Sequence, residues 1–255
     1  MRRYLPCFIL WLMMLSRYAL AATLQVAPVT LDLQSNQRAA AVYLTNSGKA
    51  AIHAQIRVYE WTQKNGKDVL AATGEVVSSP AMTSLAPGQQ QLVRIIVMQP
   101  GVRAQEQSYR LVIDELPDAT SRAANPNAVH FLLRYSIPVF IAGNQDAPAS
   151  HDALSCEQAE MPATLRCFNA GNRHIRLSHL EVLTADGQVV GSIKGLAGYV
   201  LPGQTTLLPL KQASRHALST LRVYLNDDHH ASQIPLRPLA SRAPVLATAH
   251  AVSPG

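Results

Sequence analysis

Alternating apolar and polar residues run through most of the chain and predict β-strands. Residues 52–61 (IHAQIRVYEW) place Ile52, Ala54 and Ile56 on one side and polar or aromatic side chains on the other. A period of two is typical of a strand with one buried face. Other short strands, separated by turns with Gly, Pro or Asn, are predicted at 24–33, 39–46, 76–77, 89–98, 107–116 and 129–141. This spacing favours a β-sandwich or barrel.

Two turn motifs occur in the same order in both halves of the chain. An Asn-x-Gly turn begins at Asn46 and again at Asn169, and a Pro-Gly-Gln turn follows later in each half. This order favours two sandwich domains of the same general kind, with chance similarity between β-turns as the alternative. The matching segments are LTNSGKAAIHAQIRV (44–58) with FNAGNRHIRLSHLEV (168–182), and LAPGQQQLV (85–93) with LPGQTTLLP (201–209).

A polar stretch rich in Gly and Pro separates the two halves. Residues 142–153 (AGNQDAPASHDA) have the composition of a linker. We therefore expect an N-terminal domain over 22–142 and a C-terminal domain over 143–239. Residues 240–255 are rich in Ala and Pro and lack periodicity, so we expect a disordered tail there.

The first 21 residues have the features of a secretory signal peptide. Two arginines precede an apolar stretch from Leu5 to Leu15, and Ala19 and Ala21 stand in A-x-A spacing, which places cleavage after Ala21. A membrane anchor is the alternative, but the apolar stretch is short for a bilayer span. We therefore expect an exported protein that is not stably inserted in a membrane.

Charge and composition exclude some classes of function. The chain has 255 residues, with Lys+Arg 22 against Asp+Glu 16. Three of the arginines (Arg2, Arg3, Arg17) lie in the predicted signal peptide, so 22 − 3 = 19 bases face 16 acids and the net charge falls from +6 to +3. No run of Lys and Arg with interleaved aromatics occurs, so nucleic acid is not an expected partner.

The cysteines fit an oxidising compartment. Cys7 lies in the predicted signal peptide, which leaves Cys156 and Cys167. An even pair in an exported protein predicts a disulfide. A metal site is the alternative, but the pair has no nearby His at ligand spacing.

The sequence offers no catalytic set, and no cofactor or metal is expected. It contains no G-x-S-x-G turn and no phosphate-binding Gly loop. The turn Asp227-Asp228-His229-His230 is interpreted as solvated rather than metal-binding. Asp114 and Glu115 are adjacent acids, but neighbours on a strand point to opposite faces, which disfavours a joint acid–base role.

The predicted strand 129–141 carries an unusual apolar stripe. Its odd positions are all large and apolar, and its even positions include Pro138. Proline is confined to edge strands, strand ends or bulges, and an apolar edge strand invites aggregation unless a partner covers it. A stripe of this kind is typical of an ordinary core face, and Pro138 with an edge position makes strand addition to another protein's sheet the alternative. The odd positions begin with Val129, Phe131, Leu133 and Tyr135.

Over about residues 24–238 the sequence resembles the periplasmic pilus-assembly chaperones of the chaperone–usher pathway (PapD-like). The resemblance implies an all-β fold of two immunoglobulin-like β-sandwich domains in an L-shaped arrangement. It implies one-to-one binding of pilus subunits that lack their last strand, by donor-strand complementation, and delivery to an outer-membrane usher. It is carried by LTNSG (44–48), LAPGQQQLVRI (85–95), SYRLVIDELP (108–117), YLND (224–227) and the strand at 129–141.

The resemblance also implies roles for individual residues. The donor residues would be Val129, Phe131, Leu133 and Tyr135. An interdomain salt-bridge network would join three charged residues, which here are Arg94, Glu106 and Asp227.

The chain departs from the family where well-known members hold the subunit's terminal carboxylate with two bases. The matching positions, near Pro28–Thr30 and at Pro138, are not basic. Arg134 or Arg110 could take that role, and the departure is similar to the archaic or alternate branch of the family. The alternative function is an exported structural or adhesive sandwich protein, similar to a pilus subunit. Two domains and a strand that begins by Leu24 count against it.

Overall fold

In a computed structural model, the described residues are 24–101, 103–117, 131–143, 151–161, 163–210 and 218–237. Within these ranges the chain forms β-strands and one 3-10 helix, His151–Ala153, so the predicted all-β class is confirmed. No helix in the described part is long and apolar enough to cross a membrane.

In the described residues, ten strands precede residue 142 and seven follow it. The first ten are β1 (Leu24–Ala27), β2 (Leu31–Leu33), β3 (Ala39–Asn46), β4 (Ile52–Lys64), β5 (Lys67–Ala72), β6 (Val76–Ser79), β7 (Met82–Leu85), β8 (Gln90–Val97), β9 (Gln107–Leu116) and β10 (Arg134–Ile141). The others are β11 (Leu154–Gln158), β12 (Thr164–Asn169), β13 (Ile175–Thr184), β14 (Val189–Val200), β15 (Thr205–Pro209), β16 (Leu218–Leu225) and β17 (Ser232–Arg237).

The chain divides into two compact units. The first takes its described residues from Met1–Glu60, Ala72–Gly101 and Tyr109–Phe140. The second takes them from Trp61–Ala71, Val102–Ser108 and Ile141–Gly255. The domain limits expected from the sequence, 22–142 and 143–239, stay predictions.

Strands β1 to β10 form two sheets. One has the order β1-β3-β8-β6, and the other has the order β2-β10-β9-β4-β5, with β7 paired to β4. The alternation predicted for residues 52–61 is present, because Ile52, Ala54 and Ile56 are buried while His53 is exposed. Antiparallel pairing sets Ile56 opposite Ile113, so both strands bury the same face.

Two predicted strands have different limits in the structure. The strand expected at 24–33 is divided into β1 and β2, which belong to different sheets, and Pro28 lies in the break. Proline cannot donate a ladder hydrogen bond, so the chain leaves one sheet there. The strand expected at 129–141 begins only at Arg134. Residues 131–133 are described but are not part of a strand, which corrects that prediction, and Val129 lies outside the described residues.

The second unit has one buried core beneath a seven-stranded sheet of order β14-β13-β16-β17-β11-β12-β15. Cys156 on β11 lies directly opposite Cys167 on β12, and the two form a disulfide. The predicted pairing is therefore confirmed. Both cysteines are buried in the core cluster with Leu165, Leu177 and Val223.

The repeated turns form the same hydrogen-bonded unit twice. In the first, Asn46 is fully buried, its Nδ2 donates to the carbonyls of Ala50 (2.8 Å) and Leu85 (2.9 Å), and its Oδ1 accepts from the Gly48 N–H (2.9 Å). The Gly88 N–H of the Pro-Gly-Gln turn donates to the Asn46 carbonyl at 2.8 Å.

The second copy uses matching residues. Asn169 is also fully buried, and its Nδ2 donates to the carbonyls of Arg173 (2.7 Å) and Val200 (3.0 Å). Its Oδ1 accepts from the Gly171 N–H at 2.8 Å, and the Gly203 N–H donates to its carbonyl at 2.9 Å. The internal repeat predicted from the sequence is therefore confirmed at the level of individual hydrogen bonds, since chance similarity of turns would not reproduce long-range partners.

Candidate functional site

An exposed apolar segment precedes strand β10. The apolar segment (residues 131–133) has Phe131 84% exposed, Leu132 50% exposed and Leu133 partly exposed. Further along the same stripe, Ile137 and Val139 are buried in the core of the first unit. The stripe therefore passes from solvent into the core. Large exposed apolar side chains next to each other are typical of an interaction surface.

The backbone at this segment is hydrogen-bonded to β9 on one side. Strand β10 lies between β2 and β9, but β2 has three residues and β10 has eight, so β2 cannot pair along all of β10. The Glu115 N–H donates to the Leu133 carbonyl at 2.9 Å, which directs Leu133 toward β9. In an extended chain, successive residues direct their N–H and C=O groups to opposite edges. The backbone groups of Leu132 and Arg134 therefore point away from β9.

A carboxylate on β9 joins two neighbouring strands by ion pairs. Asp114 accepts hydrogen bonds from Arg57 on β4 and from Arg134 on β10. Burial alone would raise the pKa of Asp114, but the hydrogen bonds from Arg134 and Arg57 outweigh it and hold that pKa below its ordinary value. The same contact raises the pKa of Arg57 above its ordinary value. Asp114 is therefore a charged, partnered group at working pH.

The Tyr135 side chain is hydrogen-bonded to the first strand of its own unit. Its hydroxyl donates to the main-chain carbonyl of Leu24 on β1. Burial raises the pKa of Tyr135, and the nearby charge of Glu115 adds to the shift. The phenol therefore stays neutral and acts as a donor. Of the four residues predicted to donate to a subunit, Phe131 and Leu133 lie in the apolar segment and Tyr135 lies at the boundary with the core.

The two candidate anchors for a subunit terminus lie on adjacent strands. Arg110 on β9 lies opposite Tyr59 of β4, and its Nη1 is 3.5 Å from the Ser136 carbonyl on β10. Arg134 contacts Asp114, although most of its side chain is exposed. Their anchoring role stays a prediction.

Glu106 and Asp227, both in the second unit, have basic partners there. The Glu106 side chain is only 1% exposed, and its Oε1 accepts from the His174 main-chain N–H at 2.8 Å and lies 2.8 Å from His174 Nδ1. Arg173 Nε is 3.7 Å from the other oxygen. The Asp227 side chain is 94% exposed and pairs with Arg176 at 2.7 Å.

The third member of the predicted network, Arg94, belongs to the first unit. It is exposed on β8, opposite Ala41 of β3. A network joining Arg94, Glu106 and Asp227 therefore stays a prediction. The partners that sequence reasoning missed are three bases within four residues, directly after the Asn169 turn: Arg173, His174 and Arg176.

Potential metal ligands do not cluster in the part of the chain that the structure describes. No group of three or more His, Cys, Asp or Glu side chains there could hold an ion. The turn from Asp227 to His230 has exposed side chains at Asp227, His229 and His230.

The N-terminal part of the sequence matches a known protein family. Residues 23–145 match the family model described as "Pili and flagellar-assembly chaperone, PapD N-terminal domain". No curated protein sequence matches the chain.

Solved structures extend the comparison beyond the first unit. A chain of the CsuC–CsuE chaperone–tip adhesion subunit pre-assembly complex, from the archaic chaperone–usher Csu pili of Acinetobacter baumannii, is 25% identical with a TM-score of 0.64. The match covers 86% of this chain and 100% of that one.

Two more distant structures share the fold. They are the Salmonella enterica SafA pilin–SafB chaperone complex (15% identity, TM-score 0.59, 86% of this chain, 97% of that chain) and the Pseudomonas aeruginosa CupB2 chaperone (16%, 0.55, 83%, 99%). Residues 23–145 therefore form a PapD-like N-terminal domain of the pili and flagellar-assembly chaperones, and the chain as a whole is similar in fold to such chaperones.

Proposed function

We propose that this protein is a periplasmic chaperone of the chaperone–usher pathway, which binds pilus subunits one-to-one and delivers them to an outer-membrane usher. The observation that carries the proposal is the apolar segment, where Phe131 is 84% exposed although its strand continues into the core. Export by the signal peptide at 1–21 is part of the proposal. The subunit-like alternative is not favoured, because the similar two-unit structures are chaperones or chaperone complexes.

The chemistry of binding is donor-strand complementation. Phe131 and Leu133, with Val129 before them and Tyr135 after them, enter the groove of a subunit that lacks its last strand. Burial of each such side chain contributes about 1.5–3 kcal/mol. The backbone groups of Leu132 and Arg134, which point away from β9, form the ladder with a strand of the subunit.

The subunit's terminal carboxylate has two candidate bases in this proposal. Arg110 lies on β9, and Arg134 is the first residue of β10. Asp114 neutralises part of the charge of Arg134, and Arg110 Nη1 lies 3.5 Å from the Ser136 carbonyl. Subunit capture by Arg110→Gln and by Arg134→Gln, measured separately, tests which of the two bases is the anchor.

A pull-down tests the proposed function. The tagged mature protein is isolated from the periplasm of cells that make the fibre, and bound chains are identified by mass spectrometry. The wild type is expected to recover a small exported β-rich subunit at a one-to-one ratio, and Phe131→Asp is expected to recover at least about tenfold less.

The matched control is Leu196→Asp, because Leu196 is also an exposed apolar residue but lies in the second unit. It is expected to capture the subunit like the wild type. Since both side chains are exposed, neither change should lower the melting temperature by more than about 2 °C. Equal recovery by Phe131→Asp and the wild type would refute the donor role of the apolar segment.

A further inference from the structure

Two consecutive carboxylates at the end of β9 contact two consecutive residues at the start of β10. Glu115 contacts the backbone of Leu133, and Asp114 contacts the side chain of Arg134. The two acids do point in different directions, as expected for neighbours on a strand. They nevertheless act on the same short piece of chain.

The Glu115 side chain takes the place of one of the two main-chain hydrogen bonds that would join Glu115 to Leu133 in a regular ladder. Two directly opposed residues of a regular antiparallel pair exchange two main-chain hydrogen bonds. Here the Glu115 N–H donates to the Leu133 carbonyl at 2.9 Å, whereas the Leu133 N–H donates to the side-chain Oε2 of Glu115 at 3.3 Å. The carboxylate thus satisfies Leu133 where the regular main-chain pairing of β9 and β10 ends. The strand limit at Arg134 agrees with this end point.

The Asp114 side chain forms an ion pair with the side chain of Arg134, the residue that follows Leu133. Its side chain is only 12% exposed and accepts from Arg57 of β4, while the side chain of Arg134 is 68% exposed. The carboxylate is therefore the fixed partner, and the exposed arginine is held against it. The position of Arg134 is thereby defined by the Asp114 carboxylate, which belongs to β9 and is held by Arg57 of β4.

The apolar segment by itself specifies register poorly. Phe131, Leu132 and Leu133 are apolar in succession, so both faces of the segment are apolar. A shift of one residue exchanges the two faces of a strand, and a shift of two moves each side chain by about 6.6 Å. Some feature outside the segment must select which face meets a partner.

We propose that Asp114 and Glu115 are positioning residues that fix where the apolar segment leaves its own sheet, and so set the register in which it meets a subunit. The inference rests on the proposed function. By holding Leu133 and Arg134, the two acids direct Phe131 and Leu133 to the subunit groove and Leu132 to the opposite face.

The first test uses the free mature protein and needs no subunit. Amide hydrogen exchange by NMR is expected to show protection of the Leu133 N–H in the wild type and at least about fivefold less protection in Glu115→Ala. Glu115→Gln keeps an acceptor oxygen and should retain the protection. Glu60→Ala is the matched control, since Glu60 is an exposed acid on β4 of the same sheet. Unchanged Leu133 protection in Glu115→Ala would overturn the inference.

The second test measures which face meets the subunit recovered by the pull-down. In the wild-type background, Phe131→Asp should weaken capture at least about tenfold more than Leu132→Asp. In the Asp114→Asn/Glu115→Ala background this ratio should fall below about threefold, because both faces can then be presented. Loss of stability alone would weaken both variants alike and would leave the ratio unchanged.

The outcomes separate the two proposals. A tenfold ratio that persists without the two acids refutes their positioning role and leaves the donor role standing. Full capture by Phe131→Asp in the wild-type background refutes the donor role itself. Loss of Leu133 protection together with loss of the ratio supports the inference.

Discussion

Replacing either repeated asparagine should destabilise its own unit by a similar amount. Asn169→Ala removes three hydrogen bonds, namely those to the carbonyls of Arg173 and Val200 and from the Gly171 N–H. Asn169 is fully buried, so these groups lose their partner in a place with little access for water. At about 1 kcal/mol for each bond, the free energy of unfolding should fall by about 3 kcal/mol. For a unit of about 100 residues this lowers the melting temperature by about 12–24 °C.

Asn46→Ala is the internal replicate, because Asn46 makes the same three bonds in the first unit. Differential scanning calorimetry measures both variants, and Trp61 fluorescence reports on the second unit, where this tryptophan is buried. The matched control is Asn36→Ala, since Asn36 is exposed in a turn. A loss below about 1 kcal/mol in either variant would contradict the view that these bonds stabilise the turns.

Two further predictions concern charge and backbone conformation. Because the pKa of Asp114 is lower in the folded state than its ordinary value, its ionised form stabilises the fold above the ordinary carboxyl pKa. This stabilisation is lost as the pH falls through the lowered value, so Asp114→Asn should flatten the acid limb of a plot of unfolding free energy against pH, and an unchanged limb would contradict it. Gly66→Ala should lower the melting temperature, because Gly66 has φ +74° and an added Cβ would lie 2.3 Å from Leu207 Cγ. Gly74→Ala, where an added Cβ meets nothing within 4 Å, is the control, and equal melting temperatures for the two variants would refute the expected clash.

Sequence reasoning succeeded where the chemistry was local or compositional. The Asn-x-Gly turns bond their own Gly N–H two residues on, so spacing alone reveals them. The Cys156–Cys167 bond follows from an even pair of cysteines in a chain that is predicted to be exported. Strand alternation around Ile56 follows from the period of a pleated sheet.

It failed where the answer depended on distant partners. The apolar stripe does not show which of its side chains the rest of the unit buries. The sequence therefore predicts a strand that begins at residue 129, five residues before Arg134. Glu106 and His174 are 68 positions apart, and no local pattern pairs them. The contact between Glu115 and Leu133 was missed because the pattern of side chains does not show which main-chain groups lose their ladder partner.

The buried disulfide has a consequence for the order of events during biogenesis. Thiol–disulfide exchange needs a thiolate that can reach a sulfur atom. Cys156 and Cys167 are 1% and 0% exposed, so a folded second unit shields both sulfurs from external thiols and oxidants. The two cysteines must therefore be oxidised before this unit completes its folding. Once formed, the bond is shielded from external reductants for as long as the second unit stays folded.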